Sequence, residues 1–171
     1  MEMTVSEETT ARLTLPFLQS GQAQKELTHN EALTLLDIAV QPVVEAVSLS
    51  TPPATPVAGQ CWIVGSAPMG VWTGHAQALA GYTSGGWRFL SPVEGMEVWS
   101  RNDLAHACYV GGQWETGQVR ARRLVIGGVG VVAGRQPAIA APSGGTVIDV
   151  SARQVIGNIL TTLQQHGLIS S

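Results

Sequence analysis

Apolar positions change their spacing along this chain, and each change marks a different kind of element. Between residues 33 and 40 they recur at three and four, with Leu33, Leu36 and Val40 on one face and Leu35 and Ala39 beside them. That rhythm predicts an amphipathic helix. Thr28 with Glu31 three residues on reads as a capping box, which would start the helix near His29. Pro42 lacks an amide hydrogen and crowds the turn before it. The helix should therefore end near Val40, kink, or restart with Pro42 in its first turn and run to about Val47.

From about residue 60 to 118 the apolar positions gather into short runs punctuated by turn residues. Strands are expected at 60–64, 71–73, 78–83, 86–91, 96–100, 105–110 and 113–116, separated by Gly-Gly, Ser-Pro and Asn-Asp turns. Tyr82 and Trp87 bracket Thr-Ser-Gly-Gly, and Tyr109 and Trp114 bracket Val-Gly-Gly-Gln, 27 positions later. Each reads as a β-hairpin in which glycine supplies the reversal and a Tyr–Trp pair faces across the two strands. Short strands at this spacing predict an antiparallel meander, closed as a small barrel or layered as a sandwich.

Residues 122–132 read as one further strand or a pair of strands, with glycine marking a bulge or a close backbone approach. Pro137, Pro142 and Gly144-Gly145 keep the following stretch extended. Asp149 or Ser151 can cap a last helix from about Ala152 to His166, and Gly167 with Leu168 is placed to end it as a Schellman stop. Ile156, Ile159 and Leu163 on that helix follow the +3, +4 rhythm of a coiled-coil seam. At little over two heptads it either packs on its own sheet or bundles with copies of itself. The organisation expected is a lead-in (1–12), a helical segment (13–49), a Pro-rich linker (50–59), an antiparallel β region (60–118), extended Gly/Pro-rich strands (119–150) and a C-terminal helix (151–171). The fold class is α+β.

Composition adds one strong constraint. Of 171 residues 44% are hydrophobic and only 12% charged, whereas soluble domains carry about 25% charge. So little charge implies apolar area buried against copies of the chain or a partner. The net charge is −3, and the one basic cluster, Arg120, Arg122 and Arg123, is too small for a nucleic-acid-binding face. No apolar run approaches the roughly 20 residues that span a bilayer, so membrane insertion is not expected. The acidic, polar N-terminus is not a secretory signal. Cys61 and Cys108 sit in apolar stretches and read as buried free thiols of a cytoplasmic protein, with a disulfide between them left open.

The residues suggest little catalytic chemistry. Gly128, Gly130 and Gly134, with Asp149 beyond, imitate a dinucleotide fingerprint, but Arg-Gln-Pro follows where that motif must open a helix. His29, His75, His106 and His166 are scattered without metal-ligand spacing, so neither metal nor cofactor is expected. Asp103 and His106 share a loop, and His106 reads as a strand-edge residue rather than a general base. Glu94 and Glu97 flank Gly95, and only if they faced one another across a cleft could they serve as a glycosidase pair. The aromatics read mostly as core, with one or two on an exposed rim suited to stacking on sugars. Trp72, between Gly70 and Gly74 with His75 nearby, is the leading candidate for an exposed ring, followed by Trp87 and Trp114.

Three segments carry a family resemblance. They are residues 15–37 with Gly-Gln-Ala-Gln-Lys and Asn-Glu-Ala-Leu, residues 70–99 with Gly-Val-Trp-Thr-Gly-His-Ala leading into the first hairpin, and the tail from Arg135 to Asp149 with its helix ending His-Gly-Leu-Ile. Together they resemble a domain family of unknown function found in tail-fibre and head-spike proteins of alphaproteobacterial phages, prophages and gene transfer agents. The resemblance spans about residues 13–169 and implies a non-enzymatic virion component, assembled in the bacterial cytoplasm. It also implies a homotrimer that partners other fibre, spike or capsid proteins and attaches to host capsule polysaccharide. Two alternatives stay open: an adaptor seating another fibre protein, and an enzyme degrading envelope polysaccharide.

Overall fold

The computed structural model describes residues 9–18, 25–147 and 149–170. The polar stretch 19–24, and most of the lead-in expected over residues 1–12, lie outside the described residues. The protein is mixed α+β and divides into two compact units, residues 1–118 and 119–171.

The first unit opens with a strap, residues 10–16, tied to helix α1 (Lys25–Ala39) by one carboxylate. Asp37 accepts hydrogen bonds from Thr10 Oγ1 at 2.8 Å, from the Arg12 amide at 2.9 Å and from the Leu13 amide. The Arg12 guanidinium in turn donates to the carbonyls of Asp37, Ile38 and Gln41 at the end of α1, which have no partner within the helix. Thr28 lies inside α1, so the expected capping box does not form. Glu31 instead meets Arg88 at 2.8 Å. The buried face is Asp37 and Ile38, while Leu36 and Val40 are exposed. The spacing of the leucines pointed to the wrong side because Ile38 is the residue that enters the core. It can do so because Gly81 has no side chain: a Cβ there would lie 2.5 Å from Ile38 Cδ1.

Residues after Pro42 do not resume the helix. Gln41 takes φ = 44°, and β1 (Val43–Val44) follows as a short strand, parallel to β5. The reason is local: Pro42 cannot donate, β-branched Val43 and Val44 favour extended backbone, and the Pro42 carbonyl accepts the Trp99 amide at 2.9 Å. The remaining strands are β2 (Cys61–Ile63), β3 (Leu79–Thr83), β4 (Gly86–Leu90), β5 (Glu97–Ser100), β6 (Ala105–Val110) and β7 (Gln113–Thr116). They form two sheets, ordered β1-β5-β6-β7 and β2-β3-β4, with every pair antiparallel except β1–β5. No closed barrel forms among the described residues. The strand expected at 71–73 is a 3-10 turn, Gly70–Trp72.

Both aromatic hairpins form in the expected register. Tyr82 lies opposite Trp87 with ring centroids 5.0 Å apart, and Tyr109 opposite Trp114 at 5.4 Å. Gly111 and Gly112 both take positive φ at the second turn, as a two-residue reversal requires. The inner faces of the two sheets share one core with α1, built from Ile38, Val44, Ile63, Leu79, Val98 and Trp114. A second cluster covers the other face of β2-β3-β4, where Trp62 and Trp72 pack with Ala80, Tyr82, Trp87 and Phe89.

The second unit holds the hairpin of β8 (Leu124–Ile126) and β9 (Val129–Val132), then helix α2 (Val150–Gln165). Gly127 and Gly128 make the hairpin turn, and the bulge falls between Leu124 and Val125. Asp149 caps α2 through the Ala152 amide at 2.9 Å. The Gly167 and Leu168 amides close its end on Gln164 and Leu163, each at 2.9 Å, which is the Schellman pattern.

Candidate functional site

Two of the four rings expected to contact a ligand, Trp72 and Trp114, are built into the interior. Trp72 is fully buried, because the 3-10 turn tucks it beneath Trp87 with ring centroids 5.1 Å apart and planes at 86°. Its flanking glycines made it look exposed, whereas they serve the turn that buries it: Gly70 takes φ = 60° and Gly74 φ = 88°. Trp114 is 9% exposed and donates its indole N–H to the Gln77 carbonyl at 2.8 Å. Trp87 is half-buried against Trp62, Tyr82 and Phe89. His75 alone of the four is exposed, and its ring stacks on Phe89 at 3.7 Å. The structure thus joins His75 to Trp87 through Phe89, places Trp72 underneath, and puts Trp114 in the other core.

A different tryptophan faces outward. In β5, Val98 and Ser100 turn into the core, so the two-residue alternation sends Glu97 and Trp99 to the opposite face. Register with the neighbouring strands puts Val43 on one side of Trp99 and His106 on the other. The Trp99 and His106 rings meet edge to face, 5.0 Å between centroids at 76°. A groove of about 550 Å³ runs over this face, lined by Trp99, His106, Glu97, Met96, Gln41 and Pro42 among others.

The polar groups around this groove are available. Among the described residues, the side chains of Glu97, Gln41 and His106 have no hydrogen-bond partner in the protein. Gln41 holds a positive φ that costs a non-glycine residue of order 1–3 kcal/mol. The Arg12 guanidinium fixes it there by donating to its carbonyl at 2.9 Å. Chemically the groove offers a flat apolar ring flanked by a carboxylate, an amide and an imidazole. Such a set can stack on the C–H face of a pyranose while bonding its hydroxyls.

The remaining candidates are accounted for by other partners. Glu94 accepts the Gly111 amide with both oxygens, at 3.1 and 3.3 Å, so it braces the second hairpin while Glu97 lines the groove. Asp103 accepts from Ser100 Oγ and from the Asn102 side chain, and His106 meets Trp99 instead. His29 bonds the Lys25 carbonyl within α1, and His166 caps α2. Both cysteines are free; burial pushes the Cys61 thiol up to about 11, and Cys108 is half-buried on the outward face opposite Glu97. A smaller cavity of about 150 Å³ beside Asp37 and Arg12 belongs to the strap, whose hydrogen bonds already occupy those groups. Trp99 could have been singled out from the alternation of Glu97-Val98-Trp99-Ser100. The groove beside it could not, since β1 reaches β5 by a parallel pairing with no local signal.

The family model DUF2793, described as a protein of unknown function, matches residues 29–115. The matched stretch contains both aromatic hairpins and the Trp99 groove. No curated protein matches the chain.

Proposed function

The chain belongs to the DUF2793 family, and on that premise we propose that it is a non-enzymatic structural and adhesion subunit of a phage-like particle. In this reading it is a tail-fibre or head-spike component, seated among other virion proteins, that helps attach the particle to host-surface glycan. The observation that carries the reading is the groove beside Trp99, whose Glu97, Gln41 and His106 side chains make no hydrogen bond among the described residues. A ring held by strand pairing on both sides loses little entropy on contact, and polar groups without protein partners are free to bond hydroxyls.

The test is binding of the isolated protein to purified host capsule polysaccharide. Trp99→Ala should weaken it at least tenfold while the far-ultraviolet circular dichroism stays unchanged. Absence of binding to capsule, together with retained binding to a fibre or capsid protein, would replace the adhesin with an adaptor. Shortening of the polysaccharide that is lost on Glu97→Gln would replace it with an enzyme.

A further inference from the structure

The groove over Trp99 is lined from two sources, strands β5 and β6 on one side and the short segment 39–43 that leaves helix α1 on the other. The strands are fixed by their ladder. The segment is less regular: Gln41 takes φ = 44°, Pro42 has no amide hydrogen to donate, and β1 begins at Val43. A residue with a side chain leaves that backbone conformation readily unless something holds it. The holding group comes from 29 positions earlier in the chain.

Asp37 is buried, and its carboxylate gathers the strap through three donors, Thr10 Oγ1 and the Arg12 and Leu13 amides. Seating those amides lays the Arg12 side chain along the end of α1. Its stem lies beside Gly59, where a Cβ would come within 3.4 Å of Arg12 Cγ. The guanidinium then uses two nitrogens for two tasks. Nη1 donates to the Asp37 and Ile38 carbonyls, the latter at 3.3 Å, and Nη2 donates to the Gln41 carbonyl at 2.9 Å. From Gln41 the connection to the indole is short. The next carbonyl, of Pro42, accepts the Trp99 amide at 2.9 Å, and Val43 pairs with Trp99 in register. Strap, helix terminus and the strand that bears the ring thus form one bonded chain of contacts.

We propose that residues 10–16 act as a latch on the Trp99 groove, with Arg12 as the positioning residue. Docking of the strap on Asp37 holds the Gln41–Pro42 wall in its ligand-ready form. Arginine suits the task because its planar fork bonds the helix terminus and Gln41 at a fixed separation, which the single ammonium of lysine does not. Docking and groove occupancy are then coupled in both directions: what fills the groove tightens the strap, and what releases the strap weakens binding. As far as the occupant is a saccharide, the coupling rests on the adhesion reading; the hold of Arg12 on the groove wall does not.

In the ligand-free protein the probe is the indole N–H resonance of Trp99. Arg12→Ala should shift it and leave those of Trp62 and Trp72 in place. Arg12→Lys keeps the stem and the charge but replaces the fork with a point donor. It should shift the resonance in the same direction, and it covers the case in which the alanine variant fails to fold. Either variant should bind capsule oligosaccharide about tenfold more weakly, the loss expected if the wall holds its ligand-ready form about a tenth of the time. In the wild type, saturating oligosaccharide should slow hydrogen exchange at the Arg12 and Leu13 amides. A lower melting temperature with the Trp99 resonance in place would reduce Arg12 to a stabiliser of α1 and overturn the latch. Full affinity in a variant whose Trp99 has shifted, or strap amides that exchange equally fast with and without saccharide, would overturn the coupling. A wild-type protein that binds no oligosaccharide sinks the adhesion reading, while the ligand-free resonance still decides for or against Arg12.

Discussion

Cys61 shows how one buried atom ties this fold to pH. Its thiol pKa rises from 9.0 to about 11, first because burial penalises the thiolate, with Asp37 and Glu45 reinforcing the shift and Arg12 opposing it. A group whose folded pKa exceeds its unfolded one adds stability that is complete below the unfolded value and disappears as pH climbs through the folded value. Stability should therefore fall between about pH 9 and 11, and Cys61→Ala should flatten that limb relative to wild type in urea titrations at each pH. Parallel limbs in the two proteins would show that the thiol is not responsible. The same burial should leave Cys61 unreactive to alkylation in the native state, while half-buried Cys108 reacts.

At the scale of elements the aromatic hairpins hold most of the sequence-legible information. Their signal is local: glycines a residue or two from the reversal, and a Tyr–Trp pair at the one register that closes it. A double-mutant cycle on Tyr109 and Trp114 should give a coupling of about 0.5–1.5 kcal/mol beyond the single losses. Purely additive losses would mean the rings only fill space. The end of α2 was equally legible, because a Schellman stop is specified within six residues around Gly167. What could not be read depends on contacts between distant segments. The Thr28–Glu31 spacing suggested a cap, yet Glu31 is drawn to Arg88, 57 residues away. Pro42 left the next segment ambiguous, and its pairing with β5 decided for a strand. Trp72 appeared exposed between two glycines because nothing local reveals that Trp62 and Trp87 wait above its turn.

The whole molecule divides into two compact units. The first carries both apolar cores, every tryptophan and the outward Trp99 groove; the second buries only Ile169 among its described residues. The candidate groove was only partly legible, because its aromatic could be found by strand alternation while the strained Gln41 and the parallel β1 edge could not. If a saccharide is held there, its sugar face must lie on the Trp99 indole and on no other. The most direct measurement is the set of indole N–H resonances in ¹⁵N-labelled protein, titrated with a capsule oligosaccharide. One signal, assigned to Trp99 by its loss in Trp99→Ala, should move in proportion to saturation while those of Trp62, Trp72, Trp87 and Trp114 stay in place. Movement of Trp87 with Trp99 unmoved, or no movement at saturating oligosaccharide, would contradict it.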